Sequence, residues 1–162
     1  MSMRRKDKEV IDAAKIREII LNSDCMRLGF ADADDVYIVP LNFGYEEIGA
    51  ERIFYFHSAK EGRKIDLIRI AQEKEQAVGF ELDNGYELIP DQQACKNSAR
   101  YRSVIGTGHV FFLENREEKR AVLLKLMEHQ TGKTDWQFPD KMLDAVCVFG
   151  LKVLKLSSKE HL

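Results

Sequence analysis

Four consecutive apolar residues, Ile53-Phe54-Tyr55-Phe56, lie inside the short run RIFYFHS. Successive side chains of a strand point to opposite faces, so such a run is apolar on both faces and must be covered on both. CMRLGFA and VYIVPLNF share this character, and Asp/Gly clusters separate the three runs, which is the pattern of antiparallel strands in a meander. The simplest arrangement is mainly β: a closed β-barrel with flanking helices and one face packed against a partner subunit.

The flanking elements follow from changes of period. Ile16, Ile19 and Ile20 recur at helical spacing within residues 10–22, and Asn22-Ser23-Asp24 follow as a stop. Ile65, Ile68 and Ala71 predict a second helix between Gly62 and Gln72, with AVGFEL as the next strand. From Asp83 to Arg100 turn formers and Pro90 interrupt every period, so a long loop is expected. YRSVIGTGHVFFLE predicts a long strand in which Gly106 and Gly108 mark a bulge or a close backbone approach. Asn115, with Glu118 three residues on, is placed to cap a helix carrying Leu123, Leu126 and Met127. A loop over residues 132–141 holds the single tryptophan, Trp136, which either walls a cavity or caps the core, and AVCVFGLKVLKL closes the chain as a strand.

A chain of 162 residues fits one domain, 1–162. Its formal charge of −2 lacks the basic excess that drives nucleic-acid binding. MSMRRKDKEV has no apolar core of signal-peptide length and no run reaches about 18 apolar residues, so no membrane span and a cytoplasmic location are expected. Cys25, Cys95 and Cys147 are odd in number and far apart, which argues against disulfides and a CxxC metal site. Cys25 and Cys147 read as buried core and Cys95 as an exposed thiol. His109 and His129 have no partner at metal spacing, and nucleophile-elbow, P-loop and Rossmann patterns are absent.

The chemistry concentrates between Val36 and Lys64. There VYIVPLNFGYE and RIFYFHSA lead through the basic turn KEGRK into a helix. A helix N-terminus offers unpaired N–H groups and partial positive charge, so it suits an anion. Arg63 and Lys64 add two formal charges there and fit an anion clamp; as isolated residues they would be solvated surface. Ser58 is a hydroxyl donor at the same turn. Pro40 cannot donate to a ladder, so it belongs at an edge or bulge. His57, at a strand end, reads either as a satisfied structural residue or as a polar partner to a ligand.

These residues carry a resemblance. Met3 to Asp7 (Met-Arg-Arg-Lys-Asp), Val39 to Gly44 (Val-Pro-x-Asn-Phe-Gly), Phe56 to Lys64 (Phe-His-Ser-Ala-x-Glu-Gly-x-Lys) and Tyr101 to Gly108 (Tyr-Arg-Ser-Val-x-Gly-x-Gly) occur in order over nearly the whole chain. In this the chain resembles the FMN-binding split barrels of the pyridoxamine 5′-phosphate oxidase superfamily, and most of all its 5-nitroimidazole-resistance subgroup. The resemblance implies a split barrel and a homodimer with shared FMN sites. It implies that Val39, Pro40, Leu41, Asn42 and Phe43 meet the flavin ring, and that Ser58, Ala59, Arg63 and Lys64 hold the phosphate. His57, whose imidazole can exchange a proton near neutral pH, is the candidate for a polar or proton-donating role there. Arg102 and Ser103 would face the neighbouring subunit's flavin; read from the residues alone they are ordinary outward strand polarity.

The implied activity is reduction of a small-molecule acceptor such as a nitroaromatic, and the alternative is a carrier or sensor of flavin or another ligand without turnover. Haem through His57 is a further reading. Pyridoxamine-phosphate oxidation is disfavoured, because the last 13 residues contain no arginine for a substrate phosphate.

Overall fold

Sheet, corner and helices all serve to close one curved surface. The computed structural model describes residues 3–162. In chain order its elements are β1 (Glu9–Val10), α1 (Ala13–Leu21), β2 (Met26–Asp32), β3 (Asp35–Leu41), β4 (Gly44–Ile48), β5 (Glu51–Ser58), α2 (Arg63–Glu73), β6 (Val78–Ile89), β7 (Ser98–Leu113), α3 (Arg116–Thr131), α4 (Asp140–Ala145) and β8 (Cys147–His161). Every strand pairing among them is antiparallel, in the order β3-β2-β6-β7-β8-β5-β4, and β1 pairs the far end of β8. No helix of the described residues is long and apolar enough to cross a membrane.

The two outermost strands of that order, β3 and β4, are consecutive in the chain and separated by Asn42 and Phe43 alone. The sheet therefore curls until its edges meet at a covalent corner instead of a hydrogen-bonded ladder, which makes it a split barrel. The run VYIVPLNFGYE, expected as one strand, breaks here because Phe43 turns fully into the core. Phe43 packs edge-on to Phe54 at 5.4 Å and lies 4.6 Å from the His129 ring. The Asn42 amide donates to the Asp24 carbonyl at 2.9 Å and to Gln130 Oε1 at 3.2 Å, and the Gln130 amide donates to the Asp24 and Phe43 carbonyls. Gly44 lets α3 ride directly on the backbone: a Cβ there would lie 2.8 Å from Leu126 N.

Inside the curl, Leu28, Phe54, Phe56, Phe80, Leu82, Val104 and Phe149 form the main core, with Phe56 stacked on Phe149 at 5.0 Å. The other face of β5 carries Ile53 and Tyr55, which pack with Val122 and Leu123 of α3, Leu143 of α4 and Val148. Helices of the same chain thus cover the second face of the Ile53–Phe56 run, where a partner subunit was expected.

The long loop expected from Asp83 to Arg100 is mostly a hairpin. β6 and β7 pair to Asn84↔Arg102, slip, and resume from Glu87↔Arg100 to Ile89↔Ser98. Gly85, with φ at +68°, and Tyr86 form the irregularity that breaks the alternation, so the true loop is residues 90–97. Cys95 at its tip is exposed, while Cys25 and Cys147 are half-buried at strand ends. Gly106 and Gly108 do mark close approach: side chains there would collide with the Lys155 and Lys152 carbonyls of β8, and the register shifts between Thr107 and Gly108. Asn115 caps α3 as read, its Oδ1 accepting from Glu117 N and Glu118 N. Pro40 sits on β3, an edge strand, in register with Arg27 of β2, a position in a sheet where a residue without an N–H is tolerated.

Candidate functional site

The chain leaves the barrel at the end of β5 and turns at Gly62 into α2. Gly62 takes φ +125°, a conformation that a side chain disfavours, and no side chain caps the helix. The N–H groups of the first turn of α2 therefore point outward unclaimed by any side chain. Beside them a groove of about 600 Å³ is lined by His57, Ser58, Ala59, Lys64, Met142, Ala145 and Val146. Its floor follows from the ladder, which pairs His57 with Val148 and Ser58 with Cys147, and its far wall is the end of α4.

Lys64 is half-buried in this groove, and burial draws its pKa below the ordinary lysine range. No carboxylate among the described residues compensates its charge. His57 is exposed along one edge, yet burial of the rest of the ring, reinforced by Lys64, pulls its pKa below the usual histidine value. The shift favours the uncharged imidazole at neutral pH. A half-buried ammonium without a counter-ion, a serine hydroxyl and an open helix N-terminus form a donor set suited to a phosphate dianion, and Met142 and Val146 offer apolar contact to whatever the phosphate carries.

Arg63 is not part of this groove. Its guanidinium turns to the β2–β3 hairpin, where it donates to Asp32 Oδ2 at 2.8 Å and to Asp35 Oδ2 at 3.1 Å and lies 4.6 Å from the Tyr37 ring centre. The basic pair is thus split by the helix: Lys64 faces the groove, and Arg63 ties the mouth of α2 to β3. Along β3, Val39 and Leu41 pack partly on the core and Pro40 is exposed. Asn42 and Phe43 spend their side chains on the corner.

Arg102 and Ser103 lie elsewhere. Arg102 Nε donates to Glu160 Oε2 at 2.7 Å, and the Ser103 carbonyl accepts from Ser158 Oγ at 3.1 Å. Phe112 and Leu113, at the other end of β7, line a cavity with Ile65 and Arg69 of α2, and ten strand residues span roughly 33 Å. Within one chain Arg102 and Ser103 do not meet His57, Ser58 and Lys64. Trp136 is exposed in its loop, its indole N–H donating to Thr131 Oγ1 at 3.1 Å, and it lines none of the grooves along α2.

Sequence reasoning missed Lys119. It is buried on α3, where Nζ donates to the carbonyls of Leu143 at 3.0 Å and Val146 at 2.9 Å and so fastens the end of α4 over the groove. Its signal was positional: Lys119 shares helical spacing with Val122, Leu123 and Leu126, the buried stripe of α3. Cys147 was read as core; burial raises its thiol pKa, while Lys119, Arg69, Lys60 and Lys64 act in the opposite direction.

Residues 12–159 match the family model of pyridoxamine 5′-phosphate oxidase. Among solved structures, a candidate 5-nitroimidazole antibiotic-resistance protein from Bacteroides thetaiotaomicron is 31% identical, with a TM-score of 0.79 over 94% of this chain and 86% of that one. A flavocytochrome from Azotobacter vinelandii superposes with a TM-score of 0.79 at 16% identity, covering 99% of this chain and 72% of that one. An FAD- and heme-binding protein from Mycobacterium smegmatis gives 0.76 at 16% identity, covering 94% and 73%. No curated protein matches the chain. With the family model spanning almost the whole barrel and a relative sharing both sequence and fold, the chain belongs to the pyridoxamine 5′-phosphate oxidase family.

Proposed function

We propose that the protein is an FMN-dependent oxidoreductase that passes electrons to a small acceptor such as a nitroaromatic, working as a cytoplasmic homodimer with the flavin sites shared between subunits. The observation that carries this reading is Lys64: an uncompensated, partly desolvated ammonium beside Ser58 and an open helix N-terminus. Such a group is stabilised only when an anion arrives, and a flavin phosphate supplies one. Family membership and the 31% identical resistance-related structure support the same choice.

Bound flavin would supply the redox chemistry. The protein's share is to hold and orient. Ser58, the first turn of α2 and Lys64 fix the phosphate, Ala59 and Met142 shape the groove, and the free edge of β3 at Val39, Pro40 and Leu41 offers unpaired backbone groups for the ring. His57, when uncharged, accepts a hydrogen bond; it becomes a proton donor once a bound anion lifts its pKa. Arg63 joins only by leaving Asp32 and Asp35. Arg102 and Ser103 reach a flavin only across a subunit boundary.

A visible spectrum of the purified protein after incubation with FMN, followed by stopped-flow reoxidation of the photoreduced complex, tests the reading. Flavin bands and reoxidation faster with a nitroimidazole than with dissolved oxygen alone are expected. Bound flavin without acceleration by any nitro compound would shift the assignment to a carrier or sensor, and a Soret band would point to haem.

A further inference from the structure

One edge of β8 is interrupted. β5 pairs it from Ser58↔Cys147 to Ile53↔Lys152, and β1 takes up the same edge at Val10↔Ser158 and Glu9↔Lys159. Residues 153–157 therefore face no strand on that side, a gap of roughly 17 Å along which backbone groups are left unpaired. A cavity of about 360 Å³ fills the gap. Its apolar wall is formed by Val10, Ile16, Val153 and Leu156, and its two charged lining residues are Arg52 and Glu9.

These two charges stand at opposite ends. Arg52 immediately precedes Ile53, the residue paired with Lys152, whereas Glu9 is in register with Lys159. Arg52 Nε is the one buried side-chain nitrogen or oxygen of the described residues that has no hydrogen bond. The carboxylate beside it, Glu47 Oε1 at 3.7 Å, already accepts from the Tyr45 hydroxyl at 2.7 Å. A donor buried without a partner is costly to the free protein, so a ligand that supplies the partner is favoured. Glu9, at the other end, is exposed.

We propose that the gap binds a short apolar peptide with free termini, about four residues long, as an added strand antiparallel to β8. On this edge an antiparallel strand runs as β1 and β5 run. It places its carboxylate at the Val153 end, beside Arg52, and its ammonium at the Ser157 end, toward Glu9. A parallel strand would set like charges together at both ends. The peptide backbone pairs the open edge, and its side chains meet Ile16, Val153 and Leu156. Because β1 and β5 occupy the edge on either side, a longer strand would collide with them. The site lies farther along β8 than the flavin groove, whose floor is at Cys147 and Val148, and stands independently of the flavin reading.

Titration of the full chain with the tetrapeptide Ala-Leu-Ala-Leu, followed by amide NMR and by calorimetry, tests this. Amide signals of residues 153–157 should shift. The free peptide should bind at least fivefold more tightly than its C-terminal amide and at least threefold more tightly than its N-acetyl form. Arg52→Gln should erase the first difference and Glu9→Gln the second, with the fold checked by circular dichroism and FMN affinity unchanged. Glu9→Gln alters an exposed position, so the orientation is tested even where Arg52→Gln fails to fold. Absence of peptide binding, or equal binding of the free and amidated peptides, would overturn the proposal. Octanoate binding as tightly as the peptide would overturn it too, since the gap would then take any apolar carboxylate.

Discussion

Arg63 and Lys64 are neighbours in sequence with opposite duties. Because Lys64 has no carboxylate partner among the described residues and Arg63 has two, they should respond differently to truncation. Charge-assisted hydrogen bonds contribute about 1.5–3 kcal/mol each, so Lys64→Ala should weaken FMN at least tenfold. Arg63→Ala should change FMN affinity less than about threefold, since exposed ion pairs contribute little. Fluorescence titration separates the two, and equal losses would return Arg63 to the phosphate site. His57 gives a second residue-scale prediction. Its folded-state pKa lies below the value near 6.5 of an unfolded chain. The unfolded state therefore takes up the proton first as pH falls, and the stability linked to neutral His57 is lost progressively below about pH 6.5, down to the folded-state value. A phosphate at Lys64 reverses the electrostatic part of that shift. NMR titration of the imidazole should show a depressed midpoint that moves upward when FMN is added; a midpoint unmoved by bound FMN would separate His57 from the phosphate.

At the level of elements, the corner between β3 and β4 decides whether the barrel closes. Gly44→Ala would push a methyl group into the α3 backbone at Leu126, and overpacking of this kind costs about 1–3 kcal/mol. Asn42→Ala would remove two hydrogen bonds from the same corner at about 1–2 kcal/mol in total. Urea denaturation should show both losses, and neither should alter Lys64-dependent flavin binding by more than the stability change explains. The corner also shows where the sequence stopped being readable. Local signals were legible: Asn115 ahead of α3, the isoleucine stripe of α1, Pro40 on an edge, the glycine pair of β7. The break at Asn42-Phe43 was not, although Pro40, Asn42 and Gly44 stand in or beside it, since its cause, the bonds to Gln130 and Asp24, lies far along the chain. The β6–β7 hairpin was hidden by the bulge in which Gly85 and Tyr86 oppose Tyr101 alone, a one-residue slip. Within the site, His57, Ser58 and Lys64 could be read as a group because a strand end, a glycine and a helix start are local events. Arg63's partners could not, as Asp32 and Asp35 lie on the far side of β4 and β5 in sequence.

On the scale of the whole molecule, the apolar surface that calls for a partner is not the Ile53–Phe56 run, which α3 and α4 cover. An exposed apolar patch lies instead on the outer face of β3, where Val36 and Ile38 are 66% and 65% exposed. Ile38 stands in register with Gly29, and Gly29 with Gly79, so no side chain from β2 or β6 shields it. An obligate homodimer through this face would bury more than about 2,000 Å². Sedimentation should report a dimer at micromolar concentration, and Ile38→Lys should yield monomers that also lose flavin if the sites are shared. Monomers that keep full flavin affinity would show each site to be complete within one chain.

The position of β8 has a further consequence, for the chain as it is being made. β8 lies between β7 and β5 and also receives β1, yet it follows all three in sequence. Until Cys147–His161 has left the ribosome, β5 and β7 present bare backbone donors and acceptors on aromatic, branched sequences. Such unpaired edges template pairing with other chains. Synthesis that stalls before Cys147 should therefore give aggregates in place of a smaller stable barrel, and holdase chaperones should engage the nascent chain late, at the β7 and β5 edges.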